Sequence, residues 1–150
     1  MHIKINTILE EIKDLKFNEE NQICLQGTEE SKDPYLGTGL FTSIKGSESN
    51  FTIPLFDLPY TNKIIQDLGL CRVRLMKLMP KTCYSWHHDQ SKRIHIPLVT
   101  NEKCLMVVED KAFHIPADGN YYLIDTTKKH TAINGDFKLE RIHLIGCLKT

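Results

Sequence analysis

Residues 84–99 read YSWHHDQSKRIHIPLV, and their alternation sets the fold class. Side chains two apart on an extended chain share a face, so His87 and Asp89 point one way and His88 the other. Arg93 and His95 likewise share a face, against Ile94 and Ile96. A period of two with β-branched residues on one side predicts strands over 84–88 and 92–99.

The same rhythm extends to both sides. Strands are predicted at 71–79, 103–109, 111–115, 120–125, 130–134 and 138–148. Closely spaced strands after a helical start predict a mainly β fold: a double-stranded β-helix (jelly roll, cupin-like) with one or two N-terminal helices. Ile5, Ile8, Leu9, Ile12 and Leu15 keep helical spacing and predict a helix over 4–16. Strands are expected at 22–26 and 40–45. The polar stretches 27–39 (GTEESKDPYLGTG) and 46–50 (GSESN) read as loops, the first a candidate lid. Thr61 is expected to cap a short helix running to Leu68, which Gly69 ends.

The 150 residues fit a single domain, 1–150, with its motif-bearing β core at about 71–148. Lys and Arg number 19, as do Asp and Glu, so no net basic field suggests a nucleic-acid partner. Any charged ligand must be held by local groups. No apolar run is long enough to span a membrane, and the acids within MHIKINTILEEIKDLK speak against a signal peptide. Cys24, Cys71, Cys83, Cys104 and Cys147 are scattered and odd in number, as expected of reduced, mostly buried thiols in a cytoplasmic protein.

His87 and Asp89 on one strand need only one more donor to make a metal centre, and His130, at the start of a later strand, can supply it. Two imidazoles and one carboxylate on one face of Fe(II) leave positions open for O2 and a chelating co-substrate. A structural zinc site would instead fill all four positions. His-x-Asp also arises by chance. His2, His88 and His114 are read as surface or packing residues.

Arg141 and His143 repeat, in the last strand, the Arg-x-His pattern of Arg93 and His95. An ordinary half-buried strand would turn these arginines to solvent. A barrel would turn them inward, where a guanidinium needs an acid partner, and its planar fork suits a dicarboxylate. Arg72 and Arg74 alternate with Val73 and Leu75 in the same way, and one of them could face the cavity or a surface acid.

Across RVRLMKLMP (72–80), YSWHHDQSKRIHIPLVTN (84–101), GNYYLIDTTKKHTAIN (119–134) and ERIHLIG (140–146), the chain resembles the aspartyl/asparaginyl β-hydroxylase family of Fe(II)/2-oxoglutarate dioxygenases, relatives of the proline hydroxylases. The likeness runs from about Pro59 to Leu148. It implies iron ligands at His87, Asp89 and His130. It implies that Arg141 grips the distal carboxylate of 2-oxoglutarate, with Arg93 and His95 holding co-substrate near the metal. Two positions depart from the pattern: Pro80-Lys81 stands where the family often has Pro-Gly, and Met76 where some members place a serine that contacts 2-oxoglutarate.

The resemblance further implies oxidative decarboxylation of 2-oxoglutarate with O2, coupled to hydroxylation of an unactivated C–H. The expected substrate is a small molecule, such as an amino acid or derivative, or else a peptide side chain. Tyr84, Trp86, Tyr121 and Tyr122 could line its pocket or belong to the core. Asp125 or Asn134 could hydrogen-bond the ligand imidazoles or be turn residues. Two other classes share these features: a cupin-like metalloprotein of another reaction, and a non-catalytic binding module on the same fold. Oligomeric state is not readable from the sequence.

Overall fold

The computed structural model describes residues 1–149. Helix α1 (Ile5–Ile12) opens the chain, and α2 (Pro59–Asp67) follows three short strands. These first strands are β1 (Gln22–Cys24), β2 (Gln26–Gly27) and β3 (Ile53–Pro54), with β2 pairing β3. Eight more complete the fold: β4 (Leu70–Leu78), β5 (Thr82–Cys83), β6 (Arg93–Val99), β7 (Cys104–Val108), β8 (Lys111–Phe113), β9 (Tyr122–Ile124), β10 (His130–Asn134) and β11 (Arg141–Leu148).

These eight strands form two facing antiparallel layers in the order β4-β11-β6-β9 and β5-β10-β7-β8, and β1 extends the first layer beside β4. First pairs with last in each nested step, which is the double-stranded β-helix the strand count predicted. Among the described residues no helix is long and apolar enough to cross a membrane.

The alternation seen in the sequence separates two environments. Val73, Leu75, Ile94, Ile96 and Leu144 point out of the larger sheet into a core shared with Ile8 and Ile12 of α1 and Ile64 and Ile65 of α2. The opposite face carries the arginines and histidines into the space between the sheets, which a smaller cluster of Leu78, Met106, Ile115, Ile124 and Ala132 helps to fill. All five cysteines are free, and four are buried, leaving only Cys83 exposed.

Several local expectations need correction. Helix α1 is shorter than 4–16, although Leu15 beyond its end still packs on the core. Thr61 is not the cap of α2: Leu58 holds that place and Pro59 starts the helix. The free N–H groups of Tyr60 and Thr61 donate instead to the Glu11 carboxylate, each at 2.8 Å. An acid from the neighbouring helix thus does what a local side chain usually does. Gly69 ends the helix at φ +64°, as expected.

The predicted strand at 40–45 is absent; a short 3-10 turn, Ser43–Lys45, lies there, and Leu40 and Ile44 are exposed. The carbonyls of Gly37 and Gly39 just before it accept hydrogen bonds from the Arg72 guanidinium at 3.0 and 2.8 Å, so that part of the backbone wraps an arginine rather than pairing in a sheet. The strand expected at 84–88 is absent: β5 ends just before it at Cys83, and within it only one isolated bridge forms, His87 to His130. Lys81, at the departure from Pro-Gly, has φ +57°, the left-handed region that glycine enters at no steric cost.

Candidate metal centre

His87 and His130 are held backbone to backbone. The His87 N–H donates to the His130 carbonyl (3.1 Å) and the His130 N–H returns the bond (2.8 Å). Asp89 is tied at its own N–H to the Thr126 carbonyl (2.8 Å). One ligand atom from each of His87, Asp89 and His130 lies within 4.8 Å of the others. His88 is exposed on the other side, as the alternation predicted.

The imidazoles are oriented by main-chain carbonyls. His87 Nδ1 lies 2.6 Å from the Ser85 oxygen and His130 Nδ1 2.9 Å from the Lys128 oxygen. A carbonyl only accepts, so each Nδ1 carries a proton and Nε2 is the nitrogen left to meet a metal. Those Nε2 atoms face Asp89, at 3.7 Å from Oδ1 and 3.4 Å from Oδ2 respectively. The candidates for this orienting work, Asp125 and Asn134, do not perform it. Asp125 is half-buried and accepts from the Thr127 N–H in its own turn, while Asn134 donates to the Leu78 and Leu139 carbonyls away from the site.

Burial opposes charge on Asp89. The His130 hydrogen bond and the nearby Arg93 outweigh it and hold the carboxyl below its usual range. His130 is also depressed by burial, but its bond to Asp89 prevails and raises it. A divalent cation bound here must displace the His130 proton, so its binding strengthens as pH rises.

The three ligand atoms open into a cavity of about 230 Å³ between the sheets, several times the ~30 Å³ share of one water. Its far wall is the inner face of the larger sheet: Arg74, Met76, Arg93, His95, Arg141 and Ile145. The arginines therefore point inward.

Their partners differ sharply. Arg93 and Arg72 converge on Glu48 Oε2 at 2.9 and 2.8 Å, and Arg93 also bonds Ser91 and sits 3.6 Å from Asp89. Glu48 is buried, and burial alone would raise its carboxyl. Arg93 and Arg72 together hold it below the usual range. The sequence reading missed Glu48 inside a polar GSESN loop; the signal was indirect, since inward arginines demand an acid.

Arg141 has no such acid. It is only 1% exposed, its Nε and Nη2 find no protein acceptor, and Nη1 makes only a long approach to the Met106 sulfur, 3.9 Å, while the guanidinium lies over the Tyr84 ring. The Tyr84 hydroxyl in the same cavity wall is also buried without a partner. Burial raises the Tyr84 phenol, so it remains a donor. Beside Arg141, His95 and His143 face each other at Nδ1–Nδ1 3.2 Å. Burial, then Arg141, push His95 down to about 3 and His143 well below its ordinary value, so both are neutral. Trp86 and Tyr121 are largely exposed, and Tyr122 bonds Asp118 at the surface.

A family profile described as aspartyl/asparaginyl beta-hydroxylase matches residues 4–148, and the chain belongs to this family. No curated protein matches it. Among solved structures, a cupin domain from Bordetella pertussis aligns at 18% identity over 53% of this chain and 81% of its own, TM-score 0.45. A cupin-2 domain protein from Shewanella frigidimarina aligns at 20% identity over 49% of this chain and 66% of its own, TM-score 0.38. This chain thus covers slightly less than two thirds of that protein. A predicted oxalate decarboxylase from Thermotoga maritima aligns at 24% identity over 57% and 74%, TM-score 0.39.

Proposed function

We propose that the protein is an Fe(II)- and 2-oxoglutarate-dependent dioxygenase that hydroxylates an unactivated C–H of a small molecule or a peptide side chain. The observation that carries this reading is Arg141: a buried guanidinium with two unpartnered N–H groups, in the same cavity as the His87, Asp89 and His130 ligand atoms. A buried cation without an acid is costly unless a ligand supplies the anion.

The donor set fits iron. With the His130 proton displaced, two imidazoles whose Nδ1 atoms are fixed by main-chain carbonyls and the Asp89 carboxylate would form a facial triad. When bound, the iron supplies O2 activation and couples decarboxylation of 2-oxoglutarate, to succinate and CO2, with insertion of oxygen into a C–H bond. Arg141 and the Tyr84 hydroxyl receive the distal carboxylate of the co-substrate. Arg93, anchored by Glu48, steadies Asp89 and the co-substrate end nearest the metal. His95, kept neutral, adds a hydrogen-bonding group without further positive charge. Met76, Met106, Ala132 and Ile145 supply apolar wall that limits water around the reacting atoms.

The test is anaerobic titration with Fe(II) and then 2-oxoglutarate, following the weak visible charge-transfer band of a metal-chelated 2-oxo acid. A band that needs both additions, and that Arg141→Met removes at moderate 2-oxoglutarate, is the expected result. Iron uptake without the band would overturn 2-oxoglutarate dependence, and no iron uptake would overturn the metal centre.

A further inference from the structure

Arg141 is not the only unsatisfied cation in the cavity. Arg74, on β4, is 6% exposed and lines the same space. Its Nε has no protein acceptor, and its Nη1 donates only to neutral groups, Gln22 Oε1 at 3.0 Å and the Gly39 carbonyl at 3.4 Å. Among the described residues no carboxylate lies within ion-pair distance of it, whereas neighbouring Arg72 and Arg93 share Glu48. Burial first, then Arg72 and Arg93, push Arg74 down to about 10, so the neighbourhood disfavours its charge and an arriving anion would relieve it.

The strand register sets the spacing. Arg74 lies opposite Ile145, and Arg141 lies opposite Leu78, four residues further along β4. At ~3.3 Å per residue the two backbone positions are ~13 Å apart, with Met76 and His143 between them. Two guanidinium groups without acid partners, carried four register positions apart on one cavity face, offer two places for anions. At the Arg74 end, the rim also carries the exposed Glu20, which can face an ammonium.

We infer that Arg74, with Gln22, anchors a carboxylate of the primary substrate, which is therefore a small carboxylic acid. This rests on the proposed co-substrate site at Arg141, and it gives the cavity two anion sites: co-substrate at Arg141, substrate at Arg74. Free amino acids are the first probes, since Glu20 is placed to meet their ammonium group.

The experiment is calorimetric titration of the full chain loaded with Mn(II), a redox-inert substitute for iron. 2-Oxoglutarate is added to saturation, then each free amino acid in turn, and then the carboxamide of any that binds. Parent, Arg74→Met, Arg74→Lys and Arg141→Met are compared, with thermal unfolding to show that each is folded. The expected result has three parts. At least one acid binds and its amide does not. Arg74→Met weakens that acid about ten- to hundredfold, the usual range for a lost charge-assisted hydrogen bond, while keeping 2-oxoglutarate affinity within about twofold by the same scale. Arg74→Lys recovers part of the loss. The inference is overturned if no acid binds, if acid and amide bind alike, or if Arg74→Met leaves the acid unaffected. It is also overturned if Arg74→Met loses 2-oxoglutarate as Arg141→Met does, because Arg74 then serves the co-substrate. Failure of the parent to bind 2-oxoglutarate at all would strike the proposed function instead, and is read separately in the first titration.

Discussion

Replacing Arg141 by Met should make the ligand-free protein more stable while abolishing co-substrate binding. Two of its guanidinium nitrogens have no protein acceptor. Each unmet buried donor costs ~1–3 kcal/mol, so the pair costs about 2–6 kcal/mol. The substitution gives up the contact of the guanidinium with the Tyr84 ring, 6.0 Å from its centroid and about 1 kcal/mol at most at that separation. Water entering the cavity relieves part of the donor cost and places the net effect near the low end, about 1–3 kcal/mol of stabilisation. Methionine keeps the unbranched stem, so little packing is lost. Urea unfolding without metal or 2-oxoglutarate measures it. An Arg141→Met protein less stable than the parent by 1 kcal/mol or more, on the same scale, would refute the claim that this guanidinium waits for an anion.

The neighbouring cations behave oppositely. Glu48→Ala strands Arg72 and Arg93 together and should cost about 3–5 kcal/mol in the same urea assay, as loss of one partner from a buried ion pair does; a loss below about 1 kcal/mol would mean the pair is not buried in solution. His87→Ala and Asp89→Ala should each weaken Mn(II) binding by more than ~100-fold, beyond the effect of losing an outer partner, whereas His88→Ala should leave the isotherm unchanged; the reverse ranking would mean the other histidine of the pair is the ligand. His95 supplies a pH signature. Its folded-state value, about 3, lies below the unfolded 6.5, so the unfolded chain takes up a proton that the folded chain refuses. The stability that depends on neutral His95 is complete above about pH 6.5 and falls as pH drops toward 3, with about 2 kcal/mol lost by pH 5. His95→Gln should remove that part of the decline between pH 7 and 5, and a variant with the parent's slope would show that His95 is not neutral and buried.

The strand alternation made most of this legible. Apart from 84–88, where only the His87–His130 bridge forms, each predicted strand from residue 71 onward has a counterpart, because a two-residue period with isoleucines on one side and arginine and histidine on the other specifies both the sheet and its inner face. The grouping of His87 and Asp89, with His88 turned away, followed from the same rule. What stayed hidden depended on distant partners. Glu48 is one acid in a serine-rich loop, and only the topology that brings Arg72 and Arg93 together reveals what it does. The turn at Ser43–Lys45 failed as a strand because Arg72 claims the carbonyls of Gly37 and Gly39, a long-range competitor invisible to local pattern. The orienting groups of the ligand imidazoles are main-chain carbonyls, which no side-chain motif can report.

The cost of keeping Arg74 and Arg141 buried without acids must be met elsewhere, and the strands that carry them show where. Their outward faces bury Val73, Leu75 and Leu144, and the adjacent β6 buries Ile94 and Ile96, against α1 and α2. At ~1.5–3 kcal/mol for each buried aliphatic side chain, these five contribute about 7–15 kcal/mol. That exceeds the several kcal/mol of unmet donors on the inner face. The helical layer therefore offsets the strain of a cationic cavity, and the division of labour is written into alternate residues of the same strands. It follows that thinning the outer layer should expose the deficit of the inner one. Ile96→Ala, which empties space on the helix side, should cost ~2–5 kcal/mol. Saturating 2-oxoglutarate with Mn(II) should return part of that stability by binding only the folded chain. If the ligand returns stability to Ile96→Ala but not to the Ile96→Ala Arg141→Met double variant, the gain comes through the Arg141 site; an equal return to both would show that it does not.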